Sequence, residues 1–387
     1  MVDSPVLVAA DVERARPSAG APVDAAARGI QTVGYDLLAI RPEGVRPANV
    51  VLSPASVSTA FAMLRTGARG ATAAEIDQVL HFPDDGLGPA YNALTGDWLA
   101  DPGQGRPEFH VANSLFLQEG LNLHKPFLDG LARDFGSGVR TVDFTSADAA
   151  QVIDAWVREQ TRDRIDRLFG QLPQSTLLVL ANAVYLKARW ALPFNPSETA
   201  DAQFRAADGG TVQARTMHRA DSYDYATGPG WSAVRLPYVG GQLSMWILLP
   251  DPDTDPTGLL RPGQLVEVAG TWQTHRVALA LPSWHFQSDL PLNEPLQHLG
   301  MRAAFGAADF SGISDAGLWV DQVMHRADIT VDEEGTEAAA ATGIAMVTSL
   351  PPPPDFSMTV DHPFAFAIMH DATATPLFAG LVGDPTS

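Results

Sequence analysis

The sequence contains no cysteine, and no run of about 18 consecutive apolar residues occurs anywhere among its 387 positions. Without cysteine the chain cannot form a disulfide, a zinc–thiolate site or a thiol nucleophile. The absence is compatible with a reducing compartment. Without a long apolar run, no membrane-spanning helix and no membrane partner are expected. The 45% hydrophobic content still allows a large core.

Positive charge is also scarce, because the formal net charge is -20 and Lys125 and Lys187 are the only lysines. Nucleic-acid binding proteins carry a basic face, so no nucleic-acid partner is expected. We interpret the acidity as an aid to solubility. The preference for Arg over Lys, with abundant Ala, Gly, Pro and Asp, looks like GC-rich prokaryotic coding.

The N-terminus, residues 1–22, is polar and weakly periodic, which predicts a mobile tail. It lacks a basic start followed by a long apolar segment, so we see no signal peptide. A cytoplasmic location is therefore favoured, and an extracellular one stays open.

Helical periodicity comes early in the chain and β-rich segments come late, which favours an α+β fold. Ser53-Pro54 has the form of a capped helix start. Thr72 with Glu75 resembles a capping box. The predicted helices cover 24–40, 53–67, 72–80 and 150–168. The predicted buried strands cover 178–186, 243–249, 277–281 and 364–369.

Motifs for catalysis are missing: there is no GxSxG, HExxH, Walker loop or GxGxxG after a strand. The ten histidines are scattered, and none pairs with another at metal-ligand spacing. An isolated histidine is more often a surface or hydrogen-bonded core residue than a ligand. We therefore expect no enzyme activity, no catalytic residue, no metal site and no cofactor.

The most informative stretch, 331–343, reads Val-Asp-Glu-Glu-Gly-Thr-Glu-Ala-Ala-Ala-Ala-Thr-Gly, and four prolines follow at 351–354. An alanine run alone would suggest a helix or an inert linker. This stretch, however, closely resembles the hinge of a serpin reactive-centre loop. Ordered matches to the serpin family extend over about 24–385, including 49–80, 112–116, 142–144, 180–185, 190–194, 236–238, 299–301, 308–312, 362–364 and 376–380.

The resemblance implies one serpin domain over 23–387, with three β-sheets (A, B and C), eight or nine helices and an exposed loop at about 333–356. It implies a metastable monomer that inhibits serine proteases as a suicide substrate. A protease cuts the loop, and the loop inserts into sheet A while still bound to the protease. The alternative is a non-inhibitory serpin, a carrier or chaperone whose loop is cut without trapping the protease.

The resemblance also implies roles for individual residues. The hinge would comprise Glu333, Glu334, Gly335, Thr336, Glu337, Ala338, Ala339, Ala340, Ala341 and Thr342. The reactive bond would be Ser349-Leu350, with Thr348, Met346 and Val347 as neighbouring alternatives. Because Ser349 is small and uncharged, elastase-like, subtilisin-like or chymotrypsin-like targets are favoured over trypsin-like ones.

Two further sites follow from the resemblance. Ser53, Ser56, Asn182 and His325 would form the shutter, where sheet A opens. Trp190 would lie at the breach, where the loop first enters. Ser283 stands where family members often carry a lysine, so an ion pair at the breach with Glu333 is not expected.

Overall fold

A computed structural model describes residues 4–40, 49–98, 107–336 and 352–387 of the chain. The described residues form eight α-helices. These are α1 (Val23–Ala39), α2 (Pro54–Arg65), α3 (Gly70–Val79), α4 (Leu87–Trp98), α5 (Lys125–Phe135), α6 (Ala149–Gln160), α7 (Pro262–Thr271) and α8 (Asn293–Leu299). In the parts of the chain covered by these ranges, no helix has the length and apolar character needed to cross a bilayer.

The strands lie mostly in the second half, as the sequence predicts. They are β1 (Val6–Val8), β2 (Val50–Leu52), β3 (Glu108–Gln118), β4 (Val139–Val142), β5 (Leu178–Arg189), β6 (Ala200–Arg205), β7 (Thr211–Gly228), β8 (Trp231–Pro237), β9 (Leu243–Pro250), β10 (Gln273–Pro282), β11 (Trp284–Pro291), β12 (Gln322–Val331), β13 (Gly335–Thr336), β14 (Phe356–Thr359), β15 (Phe364–His370) and β16 (Thr375–Val382). All four strands predicted from the sequence are present.

The first sheet, which we call sheet A, has the order β1-β4-β3-β5-β13-β12-β11. The other described strands form a second sheet in the order β14-β10-β7-β8-β9-β15-β16-β2, with β6 on the edge of β7. The expected sheets B and C are continuous in it, because β7 is long enough to pair with β6 and β10 and also with β8.

The central strand β5 separates two apolar clusters, because successive side chains of a strand point to opposite faces. Its even-numbered residues, such as Leu180 and Val184, face the main core against the second sheet. Its odd-numbered residues Val179, Ala181 and Ala183 contact a smaller cluster under α6. This alternation fixes which side chains of any neighbouring strand are buried on each face.

Helix α2 begins as predicted, since the Ser53 hydroxyl accepts a hydrogen bond from the Ser56 N–H at 3.2 Å. The predicted capping box on the next helix is wrong. That helix begins at Gly70, and the Glu75 carboxylate instead accepts the N–H groups of Arg302 and Ala303, at 2.7 Å each. Glu75 therefore bonds to a distant part of the chain and does not cap its own helix.

The helix predicted over 150–168 is also too long, because α6 ends at Gln160. Arg162 and Asp163 follow with φ of 52° and 62°, which an α-helix does not allow. Residues 161–177 form an irregular connection that leads from α6 to β5. Asp154 holds that connection, since its carboxylate accepts the N–H groups of Leu168 at 2.7 Å and Phe169 at 3.0 Å.

The N-terminal segment, predicted from its composition to be a mobile tail, makes specific contacts with the domain. β1 pairs antiparallel with β4 at the edge of sheet A. Further along, the Arg14 guanidinium donates to the side-chain oxygens of Asn92 at 2.8 Å and Thr95 at 2.6 Å, both on α4. Residues 5–15 are therefore bound to the domain by a sheet edge and a polar cleft, which composition does not reveal.

Candidate functional site

The site lies along the seam between β5 and β12 in sheet A. At one end these two strands pair directly and in parallel, from Gln322 opposite Val179 to Ala327 opposite Val184. At the other end β13 lies between them, with Thr336 opposite Ala188 of β5 and Val331 of β12. Sheet A is thus closed at one end, and at the other it holds the first two residues of an additional strand.

A tight turn leads from β12 into β13. The Asp332 carboxylate accepts the N–H groups of Glu334 at 2.9 Å and Gly335 at 3.1 Å, and the Asp332 N–H donates to the Gly335 carbonyl at 3.0 Å. Burial raises the pKa of the Asp332 carboxyl. A Cβ on Gly335 would lie 2.1 Å from the carbonyl oxygen of Ala188, so the turn requires glycine there.

The Thr336 side chain of β13 is buried, with 2% of its surface exposed. Its hydroxyl lies 2.7 Å from the Tyr238 hydroxyl. Tyr238 is fully buried, and burial raises its pKa above the usual range. The side chain faces the core, as its alternation in the sequence predicts, and its polar atom has a partner there.

Trp190, which the resemblance assigns to the breach, lies directly beside the turn. Its ring stacks on Tyr238 with centroids 4.5 Å apart, and its indole N–H donates to the Asp332 carbonyl at 2.9 Å. Its backbone N–H donates to the Glu334 carbonyl at 2.9 Å, and the Phe194 N–H donates to the Glu333 carbonyl at 2.8 Å. The turn is therefore held from the side of β5.

The expectation that Glu333 lacks an ion pair is wrong. The Arg215 guanidinium of β7 lies 3.7 Å from the Glu333 carboxylate. The Ser283 N–H donates instead to the Arg215 carbonyl at 2.8 Å. The cation is Arg215 of β7, the strand that pairs with β10, and the residue at position 283 gives no sign of it.

The residues that the resemblance assigns to the shutter meet where β5 and β12 pair directly. Asn113, Asn182 and His325 are level with each other on β3, β5 and β12. The Asn182 amide donates to Ser56 Oγ at 2.7 Å and to Asn113 Oδ1 at 2.6 Å, and its oxygen contacts His325 Nδ1. Ser56 Oγ in turn donates to Asn113 Oδ1 at 2.7 Å.

His325 is neutral at physiological pH. Its Nε2 accepts the Ser53 N–H at 3.0 Å, which leaves the proton on Nδ1 for the Asn182 oxygen. Complete burial lowers its pKa from 6.5 to about 3. This hydrogen bond between Nδ1 and the Asn182 oxygen joins β12 to β5, so it must break, together with the backbone pairing, if the two strands separate.

Three residues of this site are not indicated by the sequence: Asn113, Tyr238 and Arg215. Asn113 and Arg215 lie on β3 and β7, and Tyr238 directly follows β8. Each is distant in the chain from its partner, and only the tertiary structure brings it to the seam. Asn113 and Tyr238 fall inside the stretches 112–116 and 236–238, which resemble the serpin family. Nothing marks Arg215.

The remaining predicted residues, Glu337 to Thr342, Met346 to Thr348, and Ser349 with Leu350, lie outside the described residues. Beyond them the chain rejoins the second sheet, where β14 pairs in parallel with β10. Reciprocal hydrogen bonds fix this point: the Asp355 N–H donates to the Arg276 carbonyl at 2.7 Å, and the Arg276 N–H donates to the Asp355 carboxylate at 2.9 Å.

Helix α6 and its connection to β5 cover the outer face of the seam. Trp156, Ile165 and Phe169 contact the odd-numbered residues of β5 in the smaller apolar cluster. On the other side of the seam, the Arg326 guanidinium of β12 donates to the Asp289 carboxylate and to the Arg167 carbonyl of the connection. The cover is thus attached to both strands that flank the seam.

Comparisons with known proteins agree with this architecture. A family model described as Serpin (serine protease inhibitor) matches residues 28–385. An uncharacterized serpin-like protein of Thermococcus kodakarensis is 38% identical over 352 residues, covering 87% of this chain and 81% of that protein. A leukocyte elastase inhibitor of Sus scrofa is 35% identical, covering 90% of this chain and 97% of the inhibitor. Among solved structures, a thyroxine-binding globulin in complex with thyroxine superposes with a TM-score of 0.82 at 25% identity, covering 94% of this chain and 99% of the globulin.

Proposed function

The chain belongs to the serpin family, and we propose that it is a suicide-substrate inhibitor of serine-type endopeptidases. In this mechanism the protease serine attacks a carbonyl carbon of the loop and the peptide nitrogen leaves as an amine. An ester then links the loop to the protease. The loop inserts into sheet A before water can hydrolyse that ester. Trapping therefore depends on how readily the seam accepts the loop.

The observation that carries the proposal is β13, which pairs with β5 through Gly335 and Thr336 and with β12 through Thr336. In an antiparallel pair, each step forward along one strand is a step back along its partner. If β13 continued in this register, Thr342 would lie level with both Asn182 and His325. An extended loop would thus replace the direct β5–β12 pairing, residue by residue.

The side chains that would face the core suit this position. Ala338, Ala340 and Thr342 would follow Thr336 on the inner face, and Ile344 and Met346 would lie beyond the shutter. The residues that would enter the seam first are small, and the large apolar residues would enter after β5 and β12 have begun to separate. Burying each of the two large side chains contributes about 1.5–3 kcal/mol to the inserted form.

The outward-facing side chains fit equally well. Ala339, Ala341, Gly343 and Ala345 would alternate with the inner set, and the later ones would pass beneath α6. All four are small, which limits how far α6 must move. Glu337 would lie opposite Lys187, a position near the edge of that cover. Either set alone would be weak support, whereas both together match one register.

Separation of β5 from β12 breaks their hydrogen bonds, but the inserted strand would bond to both partners. Each inserted residue can satisfy its own backbone groups, which are exposed in a free loop. The net change favours insertion once the loop is cut and its end is released. A gain of roughly 10 kcal/mol would raise the Tm of this chain by roughly 12 °C.

We infer Ser349-Leu350 as the reactive bond and an elastase-like or subtilisin-like enzyme as the target. Ser349 suits a small specificity pocket, and a leukocyte elastase inhibitor is among the relatives. Pro351 lacks an amide hydrogen on the far side of the bond, so Thr348, Met346 and Val347 remain as neighbouring candidates. The proposed inhibitor acts as a monomer and uses no cofactor.

The test is to mix the protein with elastase, subtilisin and chymotrypsin and separate the products by denaturing gel electrophoresis. A complex that survives denaturation, with a C-terminal fragment beginning at Leu350 by mass spectrometry, is the expected result. The same protease with its serine already blocked serves as the control and must give no complex. Clean cutting without any complex would favour a non-inhibitory carrier, as the thyroxine complex of a structural relative illustrates.

A further inference from the structure

Residues 352–356 form an exposed strip where the chain rejoins the second sheet, and four of the five are apolar: Pro352, Pro353, Pro354 and Phe356. The Phe356 side chain is 41% exposed, whereas Met358 of the same strand is 2% exposed. A single apolar residue on a protein surface is ordinary, but a contiguous apolar strip is typical of an interaction site.

The Phe356 ring is held in place by its surroundings. It packs against the rings of Tyr225 and His275, with centroids 4.9 and 4.8 Å away. Its backbone is fixed by the pairing of β14 with β10 and by the reciprocal hydrogen bonds of Asp355 and Arg276. Another protein that packs onto a ring held in this way loses little binding energy to ordering it.

The strip lies close, along the chain, to the proposed reactive bond. Phe356 is six positions after Leu350, and four of the five residues between them are prolines. Consecutive prolines favour an extended chain that rises about 3.1 Å per residue, so the two residues are at most about 22 Å apart. A protease of about 240 residues has a radius of gyration of roughly 18 Å and is broad enough to cover that distance.

We propose that residues 352–356, together with His275, form a second docking surface for the target protease, on the leaving-group side of the reactive bond. This inference rests on the proposed function. Extended proline segments bind in grooves lined by aromatic side chains. The matching surface of the protease should therefore carry aromatic or other apolar side chains beside its active-site cleft, and proteases with such a surface would be inhibited faster than others.

The location of the strip separates docking from trapping. β14 belongs to the second sheet, whereas the seam that would receive the loop lies in sheet A. Loss of the docking surface should therefore weaken the first complex with the protease and slow association. It should not change the fraction of encounters that end in trapping, because that fraction depends on loop insertion.

The test measures binding of the full chain to an elastase whose catalytic serine is replaced by alanine, which can dock but cannot cut. Phe356→Ala should raise the Kd about tenfold, the usual scale for truncating an aromatic anchor of an interface. Phe356→Leu keeps an apolar side chain and should raise the Kd less. Trp319→Ala is the matched control, because Trp319 is 36% exposed and precedes β12 at the end opposite the hinge. Its Kd should equal that of the wild type.

The expected result is this order of affinities among variants that are folded by circular dichroism. With active elastase, Phe356→Ala should form the denaturant-resistant complex about tenfold more slowly, at an unchanged stoichiometry of inhibition. A wild type that does not bind the inactive elastase, or equal Kd values for the wild type and Phe356→Ala, would overturn the docking surface even if active elastase is trapped. A raised stoichiometry at an unchanged Kd would also overturn it, because Phe356 would then act on insertion. Cutting without trapping would refute inhibition, while the loss of affinity in Phe356→Ala would still support the surface.

Discussion

Replacing Thr336 by arginine tests the proposed insertion at its first buried residue. Thr336 is 2% exposed and its hydroxyl lies 2.7 Å from that of the fully buried Tyr238. Arginine would leave the Tyr238 hydroxyl without its partner and would place a guanidinium in the core. The first effect costs about 1–3 kcal/mol and the second costs several kcal/mol more.

The uncut variant can avoid this cost by withdrawing β13 from the sheet, whereas insertion requires residue 336 in the core. If the cost is about 2 kcal/mol greater in the transition state for insertion than in the uncut chain, insertion slows about thirtyfold. The competing hydrolysis of the acyl-enzyme is unaffected, so most encounters should end with a cut, inactive inhibitor. The stoichiometry of inhibition should then rise well above one inhibitor for each protease molecule.

The assay titrates active elastase with wild type, Thr336→Arg and Thr336→Ser, and follows residual activity and the denaturant-resistant complex. Thr336→Ser keeps the hydroxyl for Tyr238 and should behave like the wild type. Cut Thr336→Arg should also gain less in Tm than cut wild type. An arginine variant with the wild-type rate and stoichiometry of inhibition would refute the assignment of this residue to the entering strand.

Three further predictions concern other parts of the seam. Because burial lowers the pKa of His325 to about 3, only the unfolded chain binds this proton between pH 3 and 6.5. As the pH falls from 6.5 towards 3, the wild type should therefore lose about 1.4 kcal/mol of stability per pH unit relative to His325→Asn, measured by urea titration. If the stabilities of the two proteins changed in parallel with pH, this prediction would be contradicted. Arg326→Ala removes the link between β12 and the α6 cover and should speed complex formation, so an unchanged rate would count against that link. Gly335→Ala would bring a Cβ within 2.1 Å of the Ala188 carbonyl oxygen and should release β13, seen as faster hydrogen exchange at Thr336; unaltered exchange would show that the turn tolerates a side chain.

Local patterns in the sequence were sufficient for the elements whose formation depends on neighbouring residues. The Ser53 cap, the buried strands β5, β9, β10 and β15, and the alternation that buries Thr336 all follow from spacing and side-chain size. Predictions from local patterns were wrong where a residue distant in the chain binds the side chain or where the backbone leaves the helix. Glu75 binds the backbone of Arg302 instead of capping its own helix, and α6 stops at Gln160.

The sequence by itself determined the family, the hinge composition and the alternation of small residues, because these are properties of consecutive positions. Only the tertiary structure decided the bonding across the seam. It aligned Asn113, Asn182 and His325 on three strands and brought Arg215 to Glu333 in place of a lysine. Contacts between distant segments depend on strand register and on the path of the chain. A linear pattern carries neither of these.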